Sequence, residues 1–182
     1  TAKHLYVNVP GKTPLFSSVS AALDSVAFEA EDASYPAPLR EDVEPVVVHI
    51  GSGTYRERFT VTRPNVTLQG EGASRSDVVL VYGDYGRGIL SAGTKRGTFR
   101  SATVRIAAQD FTARHLTFQN DAGYGYKVGQ AVALYVDGDR CYLEDCALLG
   151  SQDTLFTAPL PLKEVEPGGF RGPGENKPRI LG

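Results

Sequence analysis

The sequence predicts an all-β fold, a solenoid of short stacked strands with one helix covering its N-terminal end. Three observations predict it. From residue 46 onward, short segments rich in Val, Thr, Leu and Phe are separated by Gly, Asn and Asp. No helical periodicity alternates with them, which argues against a doubly wound α/β sheet. A six-residue pattern also recurs: Asn65-Val66-Thr67-Leu68-Gln69-Gly70, His115-Leu116-Thr117-Phe118-Gln119-Asn120 and Asp145-Cys146-Ala147-Leu148-Leu149-Gly150.

The elements follow in chain order. Val7 and Val9 form a short β-like start, broken by Pro10-Gly11-Lys12-Thr13-Pro14. From Leu15 to Ala30 the pattern is helical, with Phe16, Val19, Leu23 and Val26 at spacings of three and four on one apolar stripe. Residues 29–45 are acidic and Pro-rich, the composition of a solvated loop. Strands are expected at 46–50, 59–62, 66–69, 78–82, 103–106, 111–119, 131–136 and 141–149.

Each copy of the pattern reads polar, apolar, small, large apolar, any residue, then Gly or Asn. The second and third copies lie 30 residues apart. Repeats of about 20–50 residues built from short strands indicate a solenoid. Here the unit is one coil of a β-helix, with Gly or Asn taking the left-handed turn conformation. Val66, Leu68, Leu116, Phe118, Cys146 and Leu148 should then point inward and stack in register. An open coil end exposes apolar surface and unpaired strand edges, and an amphipathic helix before the first coil can cover it.

Composition narrows the function. Across 182 residues the formal net charge is −2, so nothing attracts nucleic acid or an anionic membrane. The longest apolar stretch, Val46-Val47-Val48-His49-Ile50, is far short of a membrane span, and no apolar segment follows Thr1-Ala2-Lys3-His4 as a signal peptide would. Cys141 and Cys146 are the only cysteines. Their spacing of five places them on opposite faces of a continuous strand, so both read as packed thiols rather than a bridge. His4, His49 and His115 lie in separate strand-like contexts and read as surface or packing residues. No GxSxG elbow is present. Asn65-Val66-Thr67 is a glycosylation sequon in a strand context, read as structural.

The chemistry-bearing segments lie between 119 and 156: Gln119-Asn120-Asp121-Ala122-Gly123, Gln130-Ala131-Val132-Ala133-Leu134-Tyr135 and Gly150-Ser151-Gln152-Asp153-Thr154-Leu155-Phe156. Upstream stand Gly53-Thr54-Tyr55-Arg56-Glu57 and Thr98-Phe99-Arg100-Ser101-Ala102-Thr103-Val104. In order and spacing, from about residue 4 to residue 157, these segments resemble the signature segments of the pectin methylesterases. The resemblance implies a right-handed parallel β-helix and a carbohydrate esterase that removes methyl esters from pectin, releasing methanol. It implies no metal or organic cofactor, a monomer when full length, and an extracellular or cell-wall location. Carried over by motif, Gln130 and Gln152 match the family's two glutamines and Asp153 its general acid. Thr98, Tyr135 and Phe156 match positions that line the sugar groove.

The chemistry of the residues is compatible. Ester hydrolysis needs a nucleophile, a proton donor for the leaving methoxide and donors for the oxyanion. Glutamine NH groups can serve the oxyanion. A carboxyl held protonated beside another carboxylate can serve as acid. Read without the resemblance, Gln152-Asp153-Thr154 is a turn with Asp153 capping backbone NH groups; Gln130 is a polar strand start, and Tyr135 and Phe156 pack between coils.

The family continues with a second Asp, the nucleophile, in an Asp-Phe-Ile-Phe-Gly-like motif, and an Arg in a Gly-Arg-Pro-Trp-like motif. Neither occurs here. Residues 157–182 read as a long Gly- and Pro-rich loop leading to coils that are missing. The chain is therefore expected to be the N-terminal portion of one pectinesterase β-helix domain, inactive alone. The competing expectation is a non-catalytic pectin- or carbohydrate-binding β-helix.

Overall fold

The structure is a computed structural model that describes residues 1–27, 43–84, 101–138 and 140–157. After β1 (Lys3–Val7), β2 (Leu15–Phe16) and helix α1 (Val19–Asp24), the chain winds repeatedly through the same three sheets. The first coil is β3 (Val46–Ile50), β4 (Gly53–Arg56) and β5 (Phe59–Val61). The second is β6 (Val66–Gly70), β7 (Val78–Tyr82) and β8 (Val104–Ile106). The third is β9 (Thr112–Arg114), β10 (Thr117–Asn120), a short helix α2 (Gly125–Val128) and β11 (Leu134–Val136). The fourth is β12 (Tyr142–Glu144), β13 (Ala147–Leu149) and β14 (Leu155–Thr157). All strand pairs are parallel. The first sheet runs β12-β9-β6-β3-β1-β2, the second β13-β10-β7-β4 and the third β14-β11-β8-β5. This is a parallel β-helix, as the sequence predicts.

The core is a set of in-register ladders, because alternate residues of every strand face inward. Leu5, Val48, Leu68, Ala113 and Leu143 stack down the first sheet. Tyr55, Leu80, Phe118 and Leu148 stack down the second, and Val61, Ile106 and Val136 down the third. Leu68, Leu80, Phe118 and Ile106 are fully buried. Burying each such side chain is worth about 1.5–3 kcal/mol.

Helix α1 is shorter than the expected Leu15–Ala30. Leu15 and Phe16 pair with β1 instead, and Ser18 caps the helix by accepting from the Ala21 N–H. Residues 28–30 lie outside the described residues, as does most of the expected acidic loop. Val19, Ala22 and Leu23 are buried against the first coil, the expected covering role.

The repeat needs correction. All six residues face the core, but Leu68 lies in the first sheet while Phe118 and Leu148 lie in the second. The partner of Phe118 in the second coil is Leu80. The reason is that each coil holds two similar corners. Asn65, Asp110 and Arg140 all have positive φ and precede first-sheet strands in register. His115 and Asp145 have positive φ and precede second-sheet strands. The left-handed residue is thus the polar first position of the pattern, not the final Gly or Asn. Asn and Asp tolerate this region best. Gly70 is required for another reason: a Cβ there would meet the His115 carbonyl oxygen at 2.0 Å.

Corners at His115 and Asp145 also split the expected strands 111–119 and 141–149 in two. The kink returns Cys141 and Cys146 to the same side, both packed on the core, so the opposite-face expectation fails. His4 and His49 are not in separate contexts either; their rings stack across β1 and β3. Asn65 is structural, its amide donating to the Val43 carbonyl at 3.1 Å.

Candidate active site

The upstream Gly53–Glu57 motif proves to be scaffold. The Glu57 carboxylate accepts from the Val19 and Ser20 backbone N–H groups at 3.0 and 2.9 Å and from the Ser20 hydroxyl at 2.7 Å. It therefore caps α1 from the first coil, where the helix dipole favours an anion. The Tyr55 hydroxyl donates to the Gly51 carbonyl at 2.6 Å. Arg56 forms a two-pronged ion pair with Asp121 across two coils, at 2.7 and 3.2 Å.

Asn120 anchors a buried polar layer beside the third sheet. Its Nδ2 donates to the carbonyls of Asp84 (2.6 Å), Ser101 (3.1 Å) and Val132 (3.1 Å), and its Oδ1 accepts from the Ala122 N–H at 3.0 Å. The Ser101 hydroxyl accepts from the Val132 N–H at 3.1 Å, and the Thr103 hydroxyl donates to the Gln119 carbonyl at 2.9 Å. This layer fixes the strand entry at Ala131-Val132, directly after Gln130. The sequence carried the signal in Gln119-Asn120, but a buried amide is indistinguishable there from a turn residue.

Coil stacking brings the two glutamine-bearing segments together. The Ala131 N–H donates to the Gln152 carbonyl at 3.0 Å, and the Ala133 N–H to the Thr154 carbonyl at 2.8 Å. From there β11 and β14 run in register, Tyr135 opposite Phe156. Those rings stack with centroids 5.0 Å apart and planes 18° apart, and the Arg105 guanidinium lies 5.7 Å from the Tyr135 ring centroid. Ala102 and Val132 complete this apolar cluster. Gln130 is half-buried; Gln152 and Asp153 are exposed. Asp153 sits at positive φ, and among the described residues its carboxylate accepts no hydrogen bond, so the backbone-capping alternative finds no support. Thr98 lies outside the described residues.

The loop before β11 packs on this turn. The Gly125 N–H donates to the Ser151 hydroxyl at 2.9 Å. A Cβ on Gly125 would stand 2.5 Å from Gln152 Oε1 and 2.9 Å from Gln152 Cβ, so only glycine fits beside the unmoved glutamine. The other carboxylates nearby are committed: Asp121 pairs with Arg56, and Asp137 is fully buried behind β11.

An exposed carboxylate and two amide-bearing residues thus stand on neighbouring coils of a β-helix, beside Phe156, whose ring is backed by the fully buried Tyr135. Residues 19–160 match the pectinesterase family. This chain belongs to the pectinesterase family. It is 41% identical over 128 residues to pectinesterase A of Dickeya chrysanthemi, covering 63% of this chain and 34% of that protein. It is 36% identical over 140 residues to pectinesterase 3 of Citrus sinensis, covering 76% of this chain and 22% of that protein. Among solved structures, pectin methylesterase PemA from Erwinia chrysanthemi superposes with a TM-score of 0.70 at 33% identity, covering 86% of this chain and 46% of that one. A pectin methylesterase in complex with a hexasaccharide superposes equally well, with the same score and coverage. The chain thus spans about a third of the curated pectinesterase it matches at 41% identity and under half of the solved ones.

Proposed function

We propose that this chain carries the acid and the oxyanion donors of an esterase that hydrolyses the methyl esters of pectin, methylated homogalacturonan. The observation that carries the reading is the juxtaposition of Gln130 and Gln152 on stacked coils, set by the Ala131-to-Gln152 backbone hydrogen bond. Family membership and the likeness to a hexasaccharide-bound pectin methylesterase support the substrate class.

In this reading a carboxylate attacks the ester carbonyl carbon, and the amide NH groups of Gln130 and Gln152 donate to the oxyanion. Asp153 gives its proton to the methoxide as the C–O bond breaks, and methanol leaves. Water then hydrolyses the acyl intermediate, returning its proton to the Asp153 carboxylate. Phe156 offers the sugar an aromatic face, with Thr98 as a further groove residue; Tyr135 is fully buried and acts only by backing the Phe156 ring, so its expected direct groove contact is not proposed. No nucleophile is assigned among the described residues. Asp121 is held by Arg56, and Asp137 is buried. The structural use of Glu57 removes it from consideration as well.

The test is methanol release from methylated polygalacturonate by a protein in which this chain is joined to a segment carrying the family's Asp-Phe-Ile-Phe-Gly-like motif. Asp153→Asn is expected to lower the rate about 100- to 10,000-fold, the range of a lost general acid. Turnover unchanged by Asp153→Asn rejects the assignment of the acid. Oligosaccharide binding with no methanol from the unsubstituted protein rejects the esterase in favour of a binding module.

A further inference from the structure

Two of the most exposed large side chains of the described residues sit together beside the candidate site. Tyr124 is 68% and Tyr126 74% exposed, and their rings stack with centroids 5.7 Å apart and planes 18° apart. Lys127 places its ammonium 5.6 Å from the Tyr126 ring centroid. It is the only Lys or Arg between residues 121 and 129. Such rings gain nothing for the fold while they face water; exposed aromatics grouped beside a polar site mark a binding surface.

Position and charge select the occupant. Gly125, between the two tyrosines, is tied to Ser151 and lies against the Gln152 side chain. A polymer held at Gln152 therefore continues over the tyrosines. The outer face of the tyrosine stack can meet the C–H face of a pyranose ring, and the Lys127 ammonium over the Tyr126 ring complements a uronate carboxylate rather than its neutral methyl ester. A second copy of the chain would bring Lys127 against a surface with a net charge of only −2, whereas unesterified galacturonan presents a carboxylate on every ring.

We propose that Tyr124, Tyr126 and Lys127 form a recognition arm for an unesterified galacturonate unit, flanking the unit whose ester lies at Gln152. The inference rests on the pectinesterase reading of the cleft.

The experiment measures equilibrium binding of unmethylated and fully methylated hexagalacturonate to the chain at low and high salt. Tyr124→Ala with Tyr126→Ala is expected to weaken both oligomers about tenfold or more. Lys127→Gln is expected to weaken only the unmethylated oligomer, about three- to tenfold, and to remove most of its salt dependence. Tyr124→Phe with Tyr126→Phe should retain binding, which separates ring stacking from a folding defect. Wild-type chain that binds neither oligomer overturns the functional reading and the arm together. Wild-type binding that all the variants preserve overturns the arm alone. A dimer seen by sedimentation and abolished by the double alanine variant, with binding unchanged, overturns it in favour of self-association.

Discussion

The buried amide of Asn120 gives the sharpest test of how the site is held. Asn120→Asp is nearly isosteric, keeps the acceptor for the Ala122 N–H, and replaces Nδ2 by an oxygen facing the carbonyls of Asp84, Ser101 and Val132. An ionised carboxylate there meets three acceptors with no donor. The folded state accepts the group only when it is protonated, so its folded pKa stands above the unfolded value of about 3.9. Holding it protonated at pH 7 costs about 1.4 kcal/mol for each pKa unit between, or roughly 4 kcal/mol. One of the two amide donors is still missing, which adds about 1 kcal/mol. Asn120→Ala leaves the Ser101 carbonyl without this donor, while the Val132 carbonyl keeps the Thr103 N–H at 3.0 Å; its cost is about 2–3 kcal/mol.

The isosteric variant should therefore be the less stable of the two at pH 7, by about 2 kcal/mol on these figures. The sign reverses with acid. A raised folded pKa means the folded form binds the extra proton, so the Asp penalty is complete above the folded pKa and disappears as pH falls toward the unfolded pKa. Urea unfolding followed by circular dichroism at pH 7 and pH 4.5 measures both. Asn120→Asp as stable as wild type at pH 7 would falsify the donor assignment and, with it, the claim that Asn120 ties the Ser101 and Val132 layers together.

Other expectations follow from single contacts. Gly125→Ala drives a methyl into Gln152, with Oε1 at 2.5 Å and Cβ at 2.9 Å; methanol release by the joined enzyme should fall about 10- to 100-fold with little change in melting temperature. His115 is held above the ordinary histidine pKa by its hydrogen bond to Asp145, with the Gly72 carbonyl adding to it. That contribution to stability is complete below the unfolded pKa of about 6.5 and is lost as pH rises through the folded value, so His115→Gln should flatten the decline of the urea midpoint on the alkaline side. Burial raises the Cys146 thiol above its usual pKa, so iodoacetamide should modify it more slowly at pH 8.5 in the folded chain than in urea, and equal rates would show the thiol to be open.

The strands and their inward residues were legible because a two-residue alternation of apolar side chains is a local signal. Leu68 and Phe118 bury as expected, and Leu148 packs partly buried against the same core. Their sheet was not legible. Asn65 and His115 start similar six-residue segments because both must take a left-handed corner before an inward apolar residue, and local chemistry does not number the corners of a coil. The same limit explains the split strands at His115 and Asp145, where a polar residue inside an apolar run signals a bend only once its φ is known. The cysteine face rule failed for that reason, since it assumed an unbroken strand. In the candidate site, the Gln130 and Gln152 segments stood out in the sequence by their motifs. The Asn120 layer and the seat of Gly125 on Gln152 did not, because both depend on neighbours from other coils.

The two turns that build the site differ in length, and that difference gives each a separate role. In the fourth coil the turn from the second sheet to the third is short, Gly150 to Thr154, and carries Gln152 and Asp153. In the third coil the corresponding turn runs from Asp121 to Ala133 and carries α2 and, after it, Gln130. Pairing of β11 with β14, continued by the Ala131-to-Gln152 backbone hydrogen bond, fixes the register of the two turns, so the placement of Gln130 beside Gln152 is set by the backbone. The same register is held on other sides of the coil by Arg140 with Asp110, at 2.6 and 2.8 Å, and by His115 with Asp145. The surplus length of the third turn plays no part in that register. It folds outward over the shorter turn, seats Gly125 on Gln152, and presents Tyr124, Tyr126 and Lys127. Changes in this loop should therefore alter which polymer segment is held against Gln152, while the placement of the two glutamines survives them.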